Sequence, residues 1–420
     1  MSVKKIARRL INSVKVPFQY HAALKTLHKC KLEKKEGTCI RVVFLIQYVP
    51  SWDKVKLLYE AMLADPEMKP YLVCVPMEQN HEDISLSKFE SNDTYEYFAS
   101  RGYQCANALM DGGKWLDLRE LSPDYVIYTR PYNILLPKEY KSSTVAKFSH
   151  ICVVLYGMSL SSIGYDVINR DFFNYVFCYF AEDQEIKRIF ECKFFMGVKC
   201  GLQKAVVKGV PSLEFMFRER HEKTDIWNFG KQGLHVLWLP RWSTDKRIGG
   251  SNFFQYKDVL LTYYKENQNK LLIRPHPLML ENFIKTGEWS KEQHDEFINS
   301  CRQSENIMLD TTKSYMATLW GTDILIADIT SMIAEFFLTG KPIIYCYPDA
   351  EITYTKLMQK ILSCSYIVHD KKELLEILHQ LEEGIDPLRK QRETLAEEMI
   401  LDYAEGCTER IVGAIKSWAP

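Results

Sequence analysis

Beyond Gly37 the chain is built from short apolar runs separated by longer amphipathic stretches. Ile40–Ile46 (IRVVFLI), Tyr71–Val75, a short run near Tyr103, Asp124–Tyr128, Ile151–Leu155, Asn174–Tyr179 and Ala205–Lys208 read as strands of the buried kind. Helices are predicted between them over 52–63, 94–100, 115–120 and 182–192. Apolar strands alternating with helices predict a parallel sheet covered on both faces. Gly209-Val210-Pro211-Ser212 and a charged run from Arg218 to Lys223 then interrupt the pattern. A second series follows: His235–Leu239, Leu271–Ile273, Asn306–Leu309, Asp323–Ala327, Pro342–Cys346 and Tyr366–Val368. Two α/β units are therefore expected, with helices over 371–381 and from 386 to about 418 closing the chain.

The 420 residues exceed what one ordinary core organises, which agrees with two domains. Expected boundaries are a basic segment 1–36, a first domain 37–217, a second domain 218–385 and C-terminal helices 386–420. Net charge is zero, but residues 1–35 hold ten Lys and Arg against the single acid Glu33. Val3, Ile6, Leu10 and Val14 line one side of a helix there, flanked by Lys4, Lys5, Arg8 and Arg9. Such a helix either lies on an anionic membrane surface or packs on its own domain with its lysines solvated. The body has no basic stripe interleaved with aromatics, so nucleic acid is not an expected partner. Twelve scattered cysteines, no secretory signal and no run of 18 apolar residues point to a cytoplasmic chain with free thiols and no membrane span.

The residues with chemistry cluster between Leu271 and Tyr347. Arg274-Pro275-His276-Pro277 follows a strand directly, with two prolines stiffening the loop. Arg274 suits phosphate oxygens, and His276 can donate to a phosphate or a departing oxygen. Asp328-Ile329-Thr330-Ser331 marks the next strand-to-helix passage, where hydroxyls and free N–H groups receive anions or simply cap the helix. Asp328 is placed to orient His276 or meet a sugar hydroxyl; Asp323 reads as structural and Lys341 as solvated. Gly340 reads as a helix C-cap. Tyr345 to Asp349 either receives a base or ribose, or is a core aromatic beside a surface acid. In the first half, Tyr156-Gly157-Met158-Ser159 follows a strand, and Gly157 permits close approach of the backbone. No metal spacing, Walker loop or GxGxxG fingerprint is present.

In that order, Arg274–Pro277, Asp323–Ser331 and Gly340–Tyr345 resemble the CDP-glycerol glycerophosphotransferases of teichoic-acid and capsule synthesis. His235–Trp242 (HVLWLPRW) is similar to the family's first nucleotide-domain strand, which brings in Arg241, and Gly209–Glu214 is similar to its G-x-P-R-x-D hinge. The resemblance covers roughly residues 150–370. It implies a GT-B architecture, two Rossmann-like domains facing across a cleft. It implies a CDP-alditol donor as substrate, no separate cofactor, and transfer of glycerol or ribitol phosphate to a hydroxyl of a glycan or lipid-linked acceptor. Arg274, Thr330 and Ser331, with Asp328 and Arg241 nearby, would hold the donor, and His276 would assist the departing CMP. The family's His-Gly pair, whose histidine serves as general base, is matched here by Tyr156-Gly157, and a phenol is a poorer base at neutral pH. The family implies a peripheral position at the inner membrane face. Alternatives are a GT-B enzyme using a nucleotide sugar, a sugar-nucleotide epimerase, or a catalytically weak partner in capsule assembly.

Overall fold

Parallel strand order dominates the structure, a computed structural model that describes residues 39–78, 89, 91–168, 170–230, 232–312 and 314–418, with Ile11 and Phe18. The basic segment expected over 1–36 lies outside the described residues apart from those two. The chain forms two compact units. The first comprises residues up to Gly157, Tyr165–Phe215 and the tail from Tyr403, and the second comprises Met158–Gly164 and Met216–Asp402.

The first unit carries β1 (Ile40–Ile46), β2 (Met68–Cys74), β3 (Cys105–Asn107), a two-stranded hairpin of β4 (Leu109–Met110) and β5 (Lys114–Trp115), then β6 (Tyr125–Tyr128), β7 (His150–Val153), β8 (Cys178–Phe180) and β9 (Lys204–Val206). Seven strands form one parallel sheet in the order β3-β2-β1-β6-β7-β8-β9. Val42–Ile46 and Tyr125–Tyr128 are buried throughout, as strands covered on both faces must be. The helix expected over 115–120 is instead the end of the hairpin and a single 3-10 turn, Leu118–Leu121, started by Asp117. The strand expected over 174–179 begins only at Cys178, because Phe172 and Phe173 bury together in the turn Asp171–Tyr175.

The second unit has β10 (His235–Leu239), β11 (Lys270–Ile273), β12 (Ile307–Leu309), β13 (Ile324–Ala327), β14 (Ile343–Cys346) and β15 (Tyr366–Val368). Their order is β12-β11-β10-β13-β14-β15, all parallel. Each sheet thus winds outward in both directions from its first strand. Each has a switch point, between β1 and β6 and between β10 and β13, where connections leave to opposite sides. Ligands of doubly wound sheets bind outside the carboxyl ends at such points. Met158–Gly164 lies along Thr353–Thr355, with Ser162 N–H donating to Thr353 O at 2.8 Å.

The tail does not form a separate body. Helix Arg389–Met399 runs into a π-helical turn at Ile400–Ala404, and helix Cys407–Trp418 then belongs to the first unit. Cys407, Ile411 and Ile415 enter the first core, and Trp418 stacks on Phe180. Glu214 is buried and accepts from both Thr408 N–H and Thr408 Oγ1 at 2.6 Å, capping that helix. Gly209 has φ +99°, and a Cβ there would stand 2.6 Å from the carbonyl oxygen of Tyr403. Glu214→Ala leaves the Thr408 donors buried without their acceptor, which costs about 1–3 kcal/mol. Urea unfolding should show the midpoint lowered accordingly, and an unchanged midpoint would remove this cap from the account.

Candidate functional site

The carboxyl edge of the second sheet collects the polar loops. Arg274 N–H continues the ladder by donating to Trp238 O at 2.9 Å, and the chain then turns through the two prolines. The Arg274 guanidinium lies against its own unit. Nη1 pairs with Asp310 Oδ2 at 2.5 Å, Nη2 donates to Thr312 O at 2.8 Å, and the Tyr315 ring lies 5.2 Å away. Asp310 also accepts from Thr312 N–H and Oγ1, at 2.8 and 2.7 Å. Arg274 therefore ties the loop after β11 to the loop after β12, rather than presenting the open fork expected for a phosphate. Asp310 gave no signal in sequence, because its partner lies 36 residues away.

His276 is held differently. Its Nδ1 accepts from Leu278 N–H at 3.2 Å, so in the neutral ring the proton sits on Nε2. The ring keeps an exposed face, yet it is densely surrounded by protein. That crowding, with a smaller contribution from the Arg241 charge, lowers its pKa to about 4. At neutral pH the loop thus offers an uncharged imidazole with Nε2–H available as a donor. Trp242 is its aromatic neighbour, at 6.1 Å between ring centroids.

Asp328 ends β13 fully inside the unit. Its carboxylate accepts from Arg241 N–H at 2.8 Å, Ser251 Oγ at 3.1 Å, and Asn252 Nδ2 and N–H at 3.0 and 3.3 Å. Burial raises its pKa and these bonds oppose the rise. Asp328 does not bond to His276; its carboxylate instead pins the loops around it. Arg241 donates from Nη1 to Ile329 O at 2.8 Å, while its Nε is buried without a hydrogen-bond partner. Burial lowers its pKa, and Asp328 works the other way. Thr330 Oγ1 accepts from Met332 N–H at 3.4 Å, whereas Ser331, at the cap position of helix Met332–Phe337, makes no capping bond with its side chain. Sequence reasoning missed Ser251 and Asn252, which sit in an unmarked loop.

Beside this edge lies an open cavity of about 920 Å³, lined among others by Lys246, Asn252, Gln255, Tyr347, Asp349 and His369. Tyr347 and His369 rings stand 5.0 Å apart, and Lys246 pairs with Asp349. Tyr345, whose ring meets that of Tyr347 edge to face at 6.5 Å, is buried with its hydroxyl 3.0 Å from that of Tyr354. Of the Tyr345–Asp349 stretch, then, one tyrosine is core and the other lines the cavity. Lys341 is not solvated: Nζ donates to Trp320 O and Thr322 O at 2.8 and 2.6 Å, at the end of helix Met316–Gly321. Asp323 holds His235 N–H at 2.9 Å, the structural role expected. Helix Met332–Phe337 has Leu338 at its C-cap, so Gly340, at φ +68°, stands two residues beyond the cap position expected of it. Tyr156 belongs to the first unit, where its hydroxyl lies 3.4 Å from that of Tyr132.

Among the described residues no group of three or more His, Cys, Asp or Glu could hold a metal ion, and no helix is long and apolar enough to cross a membrane. Two outcomes test the edge. Asp310→Ala leaves the Arg274 charge without its buried partner and should cost about 3–5 kcal/mol, read by chemical denaturation. His276 is harder to protonate folded than unfolded, so its contribution is nil above about pH 6.5 and becomes a loss of stability as pH falls toward 4. Wild type should therefore lose stability relative to His276→Gln across that window, and NMR titration of the ring should show a midpoint well below the usual 6.5.

A sequence model of the family described as CDP-glycerol:poly(glycerophosphate) glycerophosphotransferase matches residues 145–417. No curated protein matches the chain in sequence. Solved structures share the fold. The wall teichoic acid polymerase TagF, in a variant soaked with CDPG, aligns over 99% of this chain and 97% of its own at 13% identity and a TM-score of 0.54. UDP-GlcNAc 2-epimerase from Neisseria meningitidis bound to UDP-GlcNAc aligns over 90% of this chain and 100% of its own, at 12% identity and 0.56. A putative UDP-N-acetylglucosamine 2-epimerase from Listeria monocytogenes gives 90%, 96%, 13% and 0.55. These likenesses concern the α/β GT-B fold, which polymerase and epimerases have in common. With its matched region spanning the greater part of the sequence, the chain belongs to the CDP-glycerol:poly(glycerophosphate) glycerophosphotransferase family.

Proposed function

We propose that this protein transfers an alditol phosphate, glycerol or ribitol phosphate, from a CDP-activated donor to a hydroxyl of a glycan or lipid-linked acceptor in cell-surface polymer synthesis. The observation that carries the reading is His276, whose Nδ1 accepts from Leu278 N–H and leaves Nε2–H to donate, in a loop near Arg241, which itself donates to Ile329 O at the switch point of a family member's second sheet. The acceptor oxygen attacks the phosphorus that bears the alditol. The bond from that phosphorus to the bridging oxygen breaks, CMP leaves with the bridging oxygen, and the acceptor's proton passes to solvent or a base. Charge grows on the departing CMP phosphate, where preorganised donors lower the barrier. His276 Nε2–H supplies one such donor, and Thr330 and Ser331 hydroxyls supply others. The rings of Tyr347 and His369 offer the adjoining cavity's aromatic surface to the cytosine.

Tyr156 stands where the family resemblance expects a basic histidine, which favours a second reading as a nucleotide-binding partner with little activity. In either case the basic segment 1–35 holds the protein to an anionic inner membrane surface. Removing it should abolish flotation with anionic liposomes; equal flotation of both forms would end that role.

Thermal shifts with CDP, CMP, CDP-glycerol, UDP and GDP test the donor. A cytidine nucleotide at 100-fold its Kd should stabilise the protein by about 2.7 kcal/mol. His276→Ala should weaken that effect without lowering the unliganded Tm. Stabilisation by UDP alone would sink the CDP donor. Binding of cytidine nucleotides without release of CMP in the presence of acceptor would favour the second reading.

A further inference from the structure

The first unit has its own switch point, and the side chains there are unlike those of an ordinary sheet edge. Gln47 and Tyr48 follow β1, and Thr129, Arg130 and Tyr132 follow β6, so these residues flank the position where the order reverses. Tyr156 follows the neighbouring β7, and Glu78 follows β2. Arg130 and Glu78 make a two-bond pair, Nη2 to Oε1 at 2.8 Å and Nη1 to Oε2 at 3.1 Å. The Glu78 side chain is 0% exposed and that of Arg130 13%. Gln47 Oε1 accepts from Nη1 at 3.4 Å, and the Tyr48 ring lies 5.4 Å from the guanidinium carbon. A buried ion pair adds little to stability compared with apolar side chains of the same size. Its presence at a switch point is better explained by what it fixes, an arginine held in one orientation against the Tyr48 ring, with Tyr132 and Tyr156 near its charge.

The tyrosines form a connected platform. Tyr132 and Tyr156 hydroxyls are 3.4 Å apart, the Tyr48 and Tyr156 rings meet edge to face at 6.5 Å, and Arg170 covers Tyr132 at 4.5 Å. Tyr156 is 37% exposed, so its ring is open to a ligand. Glu78 neutralises Arg130, which leaves Arg170, over the Tyr132 ring, as the further cation among the platform's described residues. A polyanionic chain of polyol phosphates would call for several free cations along its path. A neutral sugar ring calls for what is present: aromatic faces for its C–H side, and fixed donors and acceptors for its hydroxyls.

We infer that Tyr48, Arg130, Tyr132 and Tyr156 bind the acceptor as a neutral pyranose, its ring packed on Tyr156 and its hydroxyls meeting Arg130 and Tyr132, with Glu78 as the positioning residue for Arg130. This rests on the transferase reading and names the acceptor class for it. Glu78 is not itself a base for the acceptor, because both its oxygens hold Arg130 and its side chain has no access to solvent.

Saturation-transfer NMR on the full-length chain tests the inference, with methyl N-acetyl-β-glucosaminide and methyl β-galactoside as neutral probes and glycerol 3-phosphate as the charged one. The neutral pyranosides should receive saturation on their C–H protons. That signal should fall at least fivefold in Tyr156→Ala and persist in Tyr156→Phe, which keeps the ring. A double variant, Arg130→Gln with Glu78→Gln, removes both charges together and leaves no buried charge unpaired. With its Tm near wild type it should lose pyranoside binding. Saturation of glycerol 3-phosphate in preference to the sugars, binding by none of the three, or pyranoside signals unchanged in Tyr156→Ala would each overturn the inference. CDP titrated into the same samples separates the two readings. CDP binding retained in Tyr156→Ala while the pyranoside is lost supports a distinct acceptor site. Failure of CDP to bind wild type strikes the donor reading and leaves the sugar result to stand by itself.

Discussion

A carboxylate sealed from water organises the carboxyl edge of the second sheet. Removing an ionised carboxylate from solvent costs several kcal/mol unless donors surround it. Asp328 has four: the N–H groups of Arg241 and Asn252, the Ser251 hydroxyl and the Asn252 amide. The same Asn252 amide reaches Cys346 O at 3.0 Å, so one acid ties together the loops after β10 and β13 and the end of β14. Everything proposed for the donor depends on that tie. Arg241 can stand beside His276 only because its backbone is pinned, and the cavity wall at Asn252 is fixed by the same bonds. In the proposed donor site Asp328 thus acts through the loops it pins.

The alternation of short apolar runs with helices was enough to read two doubly wound sheets, because strands buried on both faces leave uninterrupted Val, Ile and Leu. Departures came where that signal is weakest. Asn174–Tyr179 is apolar enough for a strand, yet two consecutive phenylalanines face inward and force a turn first. The tail reads as one long helical segment, but the π-turn at Ile400–Ala404 and Gly406 break it, and its last helix fills a core some two hundred residues back in the chain. Pattern along the sequence carries no information about which core an amphipathic helix will join.

The site was legible to the same extent. Arg274, His276 and Asp328 stand out because they interrupt an apolar run at a strand's end, and prolines frame the first two. What they do there was not legible, since it depends on partners brought by the fold. Arg274 looks like a phosphate fork until Asp310 is placed against it, and Lys341 looks solvated until the carbonyls of Trp320 and Thr322 converge on its Nζ. Arg130 and Glu78, 52 residues apart, carry no local mark at all.

Both sheets place an arginine at a strand's carboxyl end and neutralise it with a fully buried acid from another loop, Arg274 with Asp310 and Arg130 with Glu78. Such pairs preorganise a loop at the expense of free positive charge. The consequence bears on the missing histidine. The phosphorus attacked in the proposed reaction carries an alditol ester, so a bond to the incoming hydroxyl forms while the bridging bond breaks, and catalysis rests on placement and on stabilising charge on the departing CMP. In that proposal the donor edge, with His276 Nε2–H and the Thr330–Ser331 turn, serves the leaving group, and the tyrosine platform around Tyr156 serves placement of the acceptor. A phenol in place of an imidazole then leaves deprotonation of the acceptor as the step to which the first unit contributes least.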